Sequence, residues 1–208
     1  MYGTQIPSRN DGYTLVNLGF NFKFFDKEYT QVSISTNGYI CLGNNTLCDN
    51  PKRQSPYDIL VGLNYDLDPS RLGSGQIYYK HLSSDSDIIP KDVILVENFY
   101  QDTEFVPTNI FVITYDNVLT SEKTLNSTAS FQIFLINDNS KSYVKFKYTS
   151  CLENLSSLVS SGINYKNNMH ELQEVIIENG NECISSNLQF PGTWLINATK
   201  TSLSKKIL

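Results

Sequence analysis

The dipeptide Asn37-Gly38 separates two short runs, residues 31–36 and residues 39–42, in which more polar and more apolar residues alternate. Alternation with a period of two is typical of a β-strand that has one buried face. An Asn-Gly pair readily supplies both left-handed positions of a type I′ turn, and it is the strongest short signal for a β-hairpin. We therefore predict an antiparallel hairpin here, which directs the chain towards a fold built on antiparallel sheets.

The same pattern recurs later in the chain. Residues 130–136 and 143–148 predict a second hairpin, which turns across residues 137–140. In its second arm the apolar residues alternate with Lys145 and Lys147, which predicts one dry face and one solvated face.

One segment has helical rather than strand periodicity. Ile89, Val93, Val96 and Tyr100 recur at intervals that place them on one face of a helix, although a strand over residues 93–96 is the alternative. We prefer the helix. The predicted fold is mainly β, an antiparallel β-sandwich with one short helix packed against it.

Composition limits the class of protein. A chain of 208 residues with 40% hydrophobic content is long enough to bury the core of a single domain. The net charge of −5 and the absence of a basic cluster argue against nucleic acid as a partner. The apolar runs are too short to span a membrane, and the start at Met1 does not resemble a signal peptide. If the protein is secreted, we expect this to be part of a longer chain.

The cysteines are Cys41, Cys48, Cys151 and Cys183. An even number with one close pair predicts two disulfides, although four cysteines allow three pairings. Cys41 and Cys48 flank a short loop that a disulfide would close, and the other two cysteines then form the second pair. A zinc site is the alternative, but the chain has no Cys-x-x-Cys motif and its two histidines are far from the cysteines in sequence.

Four sequons for N-glycosylation occur, at Asn44, Asn126, Asn154 and Asn197. A chain so rich in Asn, Ser and Thr would contain about four by chance, so their number carries no information. Three of them fall in stretches that we predict to be loops.

Asp66 and Asp68 are the best candidates for a functional site. Residues two apart on a strand point the same way, so two carboxylates could converge on one cation. A calcium site would need further oxygen ligands, such as backbone carbonyls and Asn64. The alternative, which we favour, is that both side chains satisfy backbone donors in the turn before Pro69. We expect no cofactor, with calcium as the one candidate.

The sequence contains no pattern that demands catalysis. No Gly-x-Ser-x-Gly motif is present, no phosphate-binding loop follows the glycines around Ser74, and no His-Glu-x-x-His motif occurs. We therefore predict that the protein is not an enzyme.

Several motifs, in a fixed order, resemble those of the NIDO domain, the extracellular module found in nidogen and alpha-tectorin. The first is Thr36-Asn37-Gly38, followed by the apolar run that ends in Asp66-Leu67-Asp68. Next comes Gly73-Ser74-Gly75-Gln76-Ile77-Tyr78-Tyr79, and the segment Gly192-Thr193-Trp194 resembles the closing strand of the family. The resemblance covers nearly the whole chain. We predict one domain over residues 18–198, a lead-in over 1–17 and a linker over 199–208.

The resemblance implies a non-catalytic adhesion or matrix module that is extracellular or on the cell surface. Its expected partners are extracellular proteins or glycans. The alternative is a lectin-like module that binds carbohydrate. It would need exposed aromatic rings beside acidic groups, for which Tyr65 with Asp66, or Tyr78 and Tyr79, are the candidates.

Overall fold

The computed structural model describes most of the chain. The described residues are 3–44, 48, 58–83, 100, 104–123, 127–150, 161–166, 172–177, 186, 188 and 190–199, with residues 164–166 and 172–177 described by their backbone alone. The predicted helix of residues 89–100 lies outside them, apart from Tyr100.

The described residues form twelve β-strands in two six-stranded sheets, and every neighbouring pair of strands is antiparallel. The strands are β1 Thr4–Gln5, β2 Tyr13–Phe24, β3 Lys27–Ser35, β4 Tyr39–Leu42, β5 Ile59–Val61, β6 Gln76–Ser83, β7 Asn109–Leu119, β8 Thr128–Asn137, β9 Ser142–Ser150, β10 Ser161–Lys166, β11 Leu172–Ile177 and β12 Thr193–Asn197. The first sheet has the order β1-β6-β7-β8-β9-β12 and the second has the order β11-β10-β5-β4-β3-β2. The prediction of a mainly β, antiparallel sandwich is confirmed.

The core lies between the two sheets, where alternate residues of each strand meet. The second sheet contributes Phe22 and Phe24, and the first contributes Phe131, Phe146 and Trp194, all of them buried. Three aromatic residues of the first sheet lie close together, since the rings of Tyr115 and Phe131 stack at 4.4 Å and Tyr148 is 5.9 Å from Phe131. Each of these rings buries a large apolar area, so together they contribute strongly to the core.

The hairpin predicted at Asn37-Gly38 is present, but its turn type is different. Ile34 pairs with Ile40, so the loop that joins β3 to β4 is longer than the two residues of a type I′ turn. Only Gly38, with a φ of 85°, is left-handed, and Asn37 is not. A type I turn followed by a left-handed glycine is the usual way to close a hairpin loop of three residues.

The outer face of the first sheet is covered over part of its length, so the prediction of a solvated face for β9 is wrong at Lys145, although Lys147 is half-buried and Thr149 is exposed. Lys145 is only 1% exposed, and its ammonium lies over the ring of Phe134, 4.2 Å from the ring centre. A second apolar cluster covers this face, because residues from outside the sheet pack onto it. Its members are Leu82, Phe105, Ile110, Val112, Phe134, Ile136, Tyr143, Leu188 and Leu195, with Tyr100 packed against them. Alternation of lysines with apolar residues therefore did not indicate a wet face here.

The hairpin between β8 and β9 is confirmed, with Asn137 pairing with Ser142. The carboxylate of Asp138 accepts hydrogen bonds from the backbone N–H groups of Ser140 and Lys141 inside the turn. Strand pairing also extends upstream of the predicted domain start at residue 18, since β1 pairs with β6 and β2 begins at Tyr13.

Candidate binding surface at the hairpin end

Three loop segments meet at one end of the sandwich, which we call the hairpin end: residues 36–38, 62–75 and 117–123. The N–H of Gly62 donates to the carbonyl of Gly38 at 3.0 Å, and the N–H of Gly75 donates to the carbonyl of Asn117 at 2.9 Å. Backbone hydrogen bonds thus join the loops of the two sheets. The predicted site residues Asp66 and Asp68 belong to the middle segment.

Asn37 uses its side chain to connect two loops. Its amide nitrogen donates to the carboxylate of Asp11 at 2.9 Å, and its amide oxygen accepts the N–H of Leu67 at 3.2 Å. The residue is therefore a structural link as well as part of a turn.

Residue 38 has to be glycine for two reasons, its backbone conformation and the lack of room for a side chain. Its φ of 85° is one that side chains rarely adopt, and a Cβ atom there would lie 2.1 Å from the carbonyl oxygen of Leu63. Its own carbonyl accepts the N–H groups of Gly62 and Leu63. The hairpin and the middle segment approach each other closely only because no side chain is present.

The carboxylates of Asp66 and Asp68 bond to different partners. Asp66 accepts the hydroxyl of Ser121 at 2.5 Å, and its backbone carbonyl accepts the N–H of the same serine at 2.9 Å. Asp68 accepts the backbone N–H of Ser70 at 2.8 Å and the hydroxyl of Ser70 at 2.5 Å, which caps the turn that follows it. Asp68 thus bonds a backbone donor of its own turn, as the favoured alternative predicts, whereas the Asp66 carboxylate bonds a side chain of another segment.

Among the residues with described positions, no group of three or more His, Cys, Asp or Glu side chains is placed to hold a metal ion. A calcium ion at Asp66 and Asp68 would have to recruit further oxygen ligands, such as backbone carbonyls, because it takes about six to eight of them. Calcium remains the less favoured of the two alternatives for these carboxylates.

Arg71 fastens the middle segment to the segment after β7. Its guanidinium donates to the carbonyls of Thr120 and Glu122, the latter at 3.0 Å. The hydroxyl of Ser74 accepts the N–H of Leu119 at 3.0 Å, three residues further along the same loop. Between these two anchors lies Leu72, whose side chain is 102% exposed. Sequence reasoning did not single out Arg71 or Leu72, because one arginine and one leucine in a polar loop form no motif.

The structure brings together one of the two aromatic candidates for carbohydrate. The half-buried Tyr65 adjoins Asp66, and its hydroxyl is hydrogen-bonded to the Glu122 carboxylate. Burial, followed by the negative charges of Glu122 and Asp66, raises the pKa of Tyr65 above its usual value of 10. Tyr78 and Tyr79, by contrast, lie on opposite faces of β6, and Tyr79 stacks on Phe111 at 5.6 Å against the core.

The structure also places some of the predicted covalent sites. Cys41 and Cys48 form a disulfide with a Cα–Cα distance of 5.9 Å, on the outer face of the second sheet. Cys151 and Cys183 lie outside the described residues, so the second pair remains a prediction.

Glycosylation likewise remains a prediction. Asn44 is exposed, and the side chain of Asn197 accepts the backbone N–H of Thr199 at 2.9 Å and the hydroxyl of Thr199 at 2.8 Å. The sequons at Asn126 and Asn154 begin outside the described part of the chain.

A comparison with family models matches residues 30–199 to the nidogen-like domain, NIDO. The chain belongs to the nidogen-like domain family. The match contains all three segments of the hairpin end and reaches the last described strand, β12. Searches of curated proteins and of solved structures gave no significant match.

NIDO domains are extracellular modules of matrix and adhesion-type proteins, and the family is not enzymatic. A disulfide such as Cys41–Cys48 suits an extracellular location, where the environment is oxidising. No helix within the described ranges has the length and apolarity needed to cross a membrane.

Proposed function

We propose that this NIDO domain is a non-catalytic adhesion module that makes protein–protein contacts at a cell surface or in the extracellular matrix. Membership of the nidogen-like family supports the setting. The observation that carries the proposal is the construction of the hairpin end, where polar side chains form hydrogen bonds that fix neighbouring loops and turns.

Four polar side chains of the hairpin end hold neighbouring loops or turns in place: Asn37, Asp66, Asp68 and Arg71. A surface that is fixed before its partner arrives loses less conformational freedom on binding than a mobile loop does. Recognition loops on a rigid scaffold are the usual arrangement in binding domains. The hairpin end therefore suits recognition better than turnover.

The test is a binding curve with the folded, oxidised chain. Decellularised extracellular matrix is immobilised on a sensor, and increasing concentrations of the chain are passed over it. We expect saturable binding that excess unlabelled chain competes away. The same chain after reduction, alkylation and heating is the control and should not bind. Binding that never saturates, or that the unfolded control reproduces, would contradict an adhesive function.

A lectin-like module is the second candidate, and the position of Tyr65 supports it. A half-buried aromatic ring beside Asp66 and Glu122 has the components of a sugar-binding site. A glycan array tests this directly. Saturable binding that free sugar inhibits, and that Tyr65→Ala removes while Tyr78→Ala does not, would favour carbohydrate over protein as the ligand.

A further inference from the structure

Four large apolar side chains are exposed in the described part of the chain: Leu15, Leu72, Val106 and Phe190. Leu15 is 39% exposed, whereas Leu72 is fully exposed at 102%. A scattered exposed leucine is ordinary on a protein surface. What sets Leu72 apart is the loop that carries it.

The loop around Leu72 is held from both sides. Before it, the N–H of Arg71 donates to the carbonyl of Asp68 at 3.3 Å, and the guanidinium of Arg71 bonds to two carbonyls of the segment after β7. After it, the N–H of Ser74 donates to the carbonyl of Arg71 at 3.0 Å, which closes a hydrogen-bonded turn that contains Leu72. Its backbone is thus fixed while its side chain is in water, and little ordering entropy would be lost when that side chain is buried.

The charge around this loop is negative. Residues 62–75 and 116–123 contain four carboxylates, Asp66, Asp68, Asp116 and Glu122, against two cationic side chains, Arg71 and Lys123. Arg71 directs its guanidinium at backbone carbonyls of its own domain. The segment that carries Leu72 and the segment that Arg71 binds therefore have two more negative than positive side chains, so a partner that docks across both meets a net negative charge.

We propose that Leu72 is the apolar anchor through which this domain docks a protein partner, in a pocket lined by apolar residues and bordered by Lys or Arg. The inference rests on the proposed adhesive function and names the contact that carries it. Burial of a whole leucine side chain is a large contribution for one residue. Basic groups at the rim would add to the association rate and to selectivity.

The experiment uses the matrix-binding assay described above, with three substitutions in the full chain. Leu72→Ala removes the anchor, Leu72→Asp adds a charge to it, and Val106→Ala is the matched control. Val106 is 63% exposed and precedes β7, at the end of the sandwich away from Leu72. All three variants should unfold at the wild-type temperature, because none of the changed side chains is buried.

We expect Leu72→Ala to raise the half-saturating concentration by about tenfold or more, and Leu72→Asp to raise it further. Val106→Ala should stay within about twofold of the wild type. If Leu72→Ala binds as well as Val106→Ala while the wild type binds saturably, the anchor is wrong and the adhesive function stands. If the wild type shows no saturable binding, the proposed function fails and this inference fails with it.

Two further measurements test the chemistry of the partner. Raising NaCl from about 0.05 M to about 0.5 M should weaken binding of the wild type, because salt screens an acidic surface from a basic rim. Binding without salt dependence would overturn the basic border of the pocket. Periodate oxidation of the matrix should leave binding unchanged, and loss of binding there would identify glycans instead of protein as the ligand.

Discussion

Gly38 determines how closely the hairpin and the middle segment of the hairpin end can approach. Two separate features make a side chain unfavourable at residue 38: the left-handed φ of 85° and the close carbonyl oxygen of Leu63. A second glycine has the first feature without the other, so comparing the two positions separates their energetic costs. Gly73 has nearly the same φ, 83°, but no atom lies within 4 Å of the position that its Cβ would take.

We predict that Gly38→Ala destabilises the domain more than Gly73→Ala does. Alanine at residue 73 should cost about 1 kcal/mol, the conformational term alone. Alanine at residue 38 adds a collision with the backbone, so we expect a total of about 3 kcal/mol or more. Urea unfolding followed by far-ultraviolet circular dichroism measures both. Equal costs would show that the close approach to Leu63 can relax.

The hydroxyl of Tyr100 forms hydrogen bonds with backbone groups on the outer edge of β12, the edge that does not pair with β9. It donates to the carbonyl of Leu195 at 3.3 Å and accepts the N–H of Asn197 at 3.1 Å, in the place where a neighbouring strand would bond. Ser186 bonds to the carbonyl of Thr193 on the same strand. An edge whose polar groups are already bonded is less available for pairing with another chain.

We predict that Tyr100→Phe costs about 1–3 kcal/mol, because the hydrogen bonds from one buried hydroxyl to two backbone groups are lost. The variant should also change the pH dependence of unfolding. Burial raises the pKa of Tyr100 to about 12 and raises the pKa of Tyr115 well above the usual value of 10. Well below pH 10 both tyrosines are protonated in the folded and the unfolded chain, so they contribute no slope there.

Above pH 10 the unfolded chain loses these protons while the folded chain keeps them, so stability falls as pH rises from 10 towards 12. Each tyrosine contributes about 1.4 kcal/mol per pH unit to that slope. In Tyr100→Phe, the decrease of the unfolding free energy with pH should be less steep, because the contribution of Tyr100 is removed. Urea titrations across this pH range measure it, and identical slopes in the two proteins would contradict the burial of the Tyr100 hydroxyl.

At the level of single elements, the disulfide closes a short loop from the end of β4. Cys41 and Cys48 are both buried, in a small cluster with Tyr39 and Ile59. We predict that the double variant Cys41→Ala with Cys48→Ala lowers the free energy of unfolding by about 2–3 kcal/mol, the value expected for a loop of this length. The comparison is made by urea unfolding under oxidising conditions. Unchanged stability would mean that the bond adds nothing to the packing around it.

Strands whose burial depends on the two sheets alone could be predicted from the sequence. Phe22 and Phe24 alternate with polar residues and are buried against the first sheet, as the period of two requires. β9 shows where this reasoning stops. Lys145 is buried because distant segments cover its face, and local alternation contains no information about a third layer.

The candidate site was predictable to a similar degree. The spacing of Asp66 and Asp68 in the sequence indicates a paired site. Their separate hydrogen bonds to Ser121 and Ser70 depend on the loop geometry that folding produces. Leu72 gave no signal at all. Its meaning comes from full exposure on a fixed loop, and both properties exist only once the chain has folded.

At the scale of the whole molecule, we predict that calcium does not contribute to stability. The carboxylates of Asp66 and Asp68 already have partners within the domain. A ligand that binds only the folded chain raises the unfolding temperature. Thermal unfolding in calcium and in EDTA should therefore coincide, with magnesium as the control. A rise specific to calcium, removed by Asp66→Asn, would instead establish a metal site at the hairpin end.

The directions of the first and last described strands have a practical consequence. β1 runs alongside β6 towards the hairpin end, and β12 runs away from it, finishing where the N–H of Ala198 donates to the carbonyl of Ser142. Both ends of the described chain thus point to the side away from Leu72. A molecule attached to a bead or a fibre at the last residues of β12 would therefore present Leu72 outward, on the side that faces the surrounding solution.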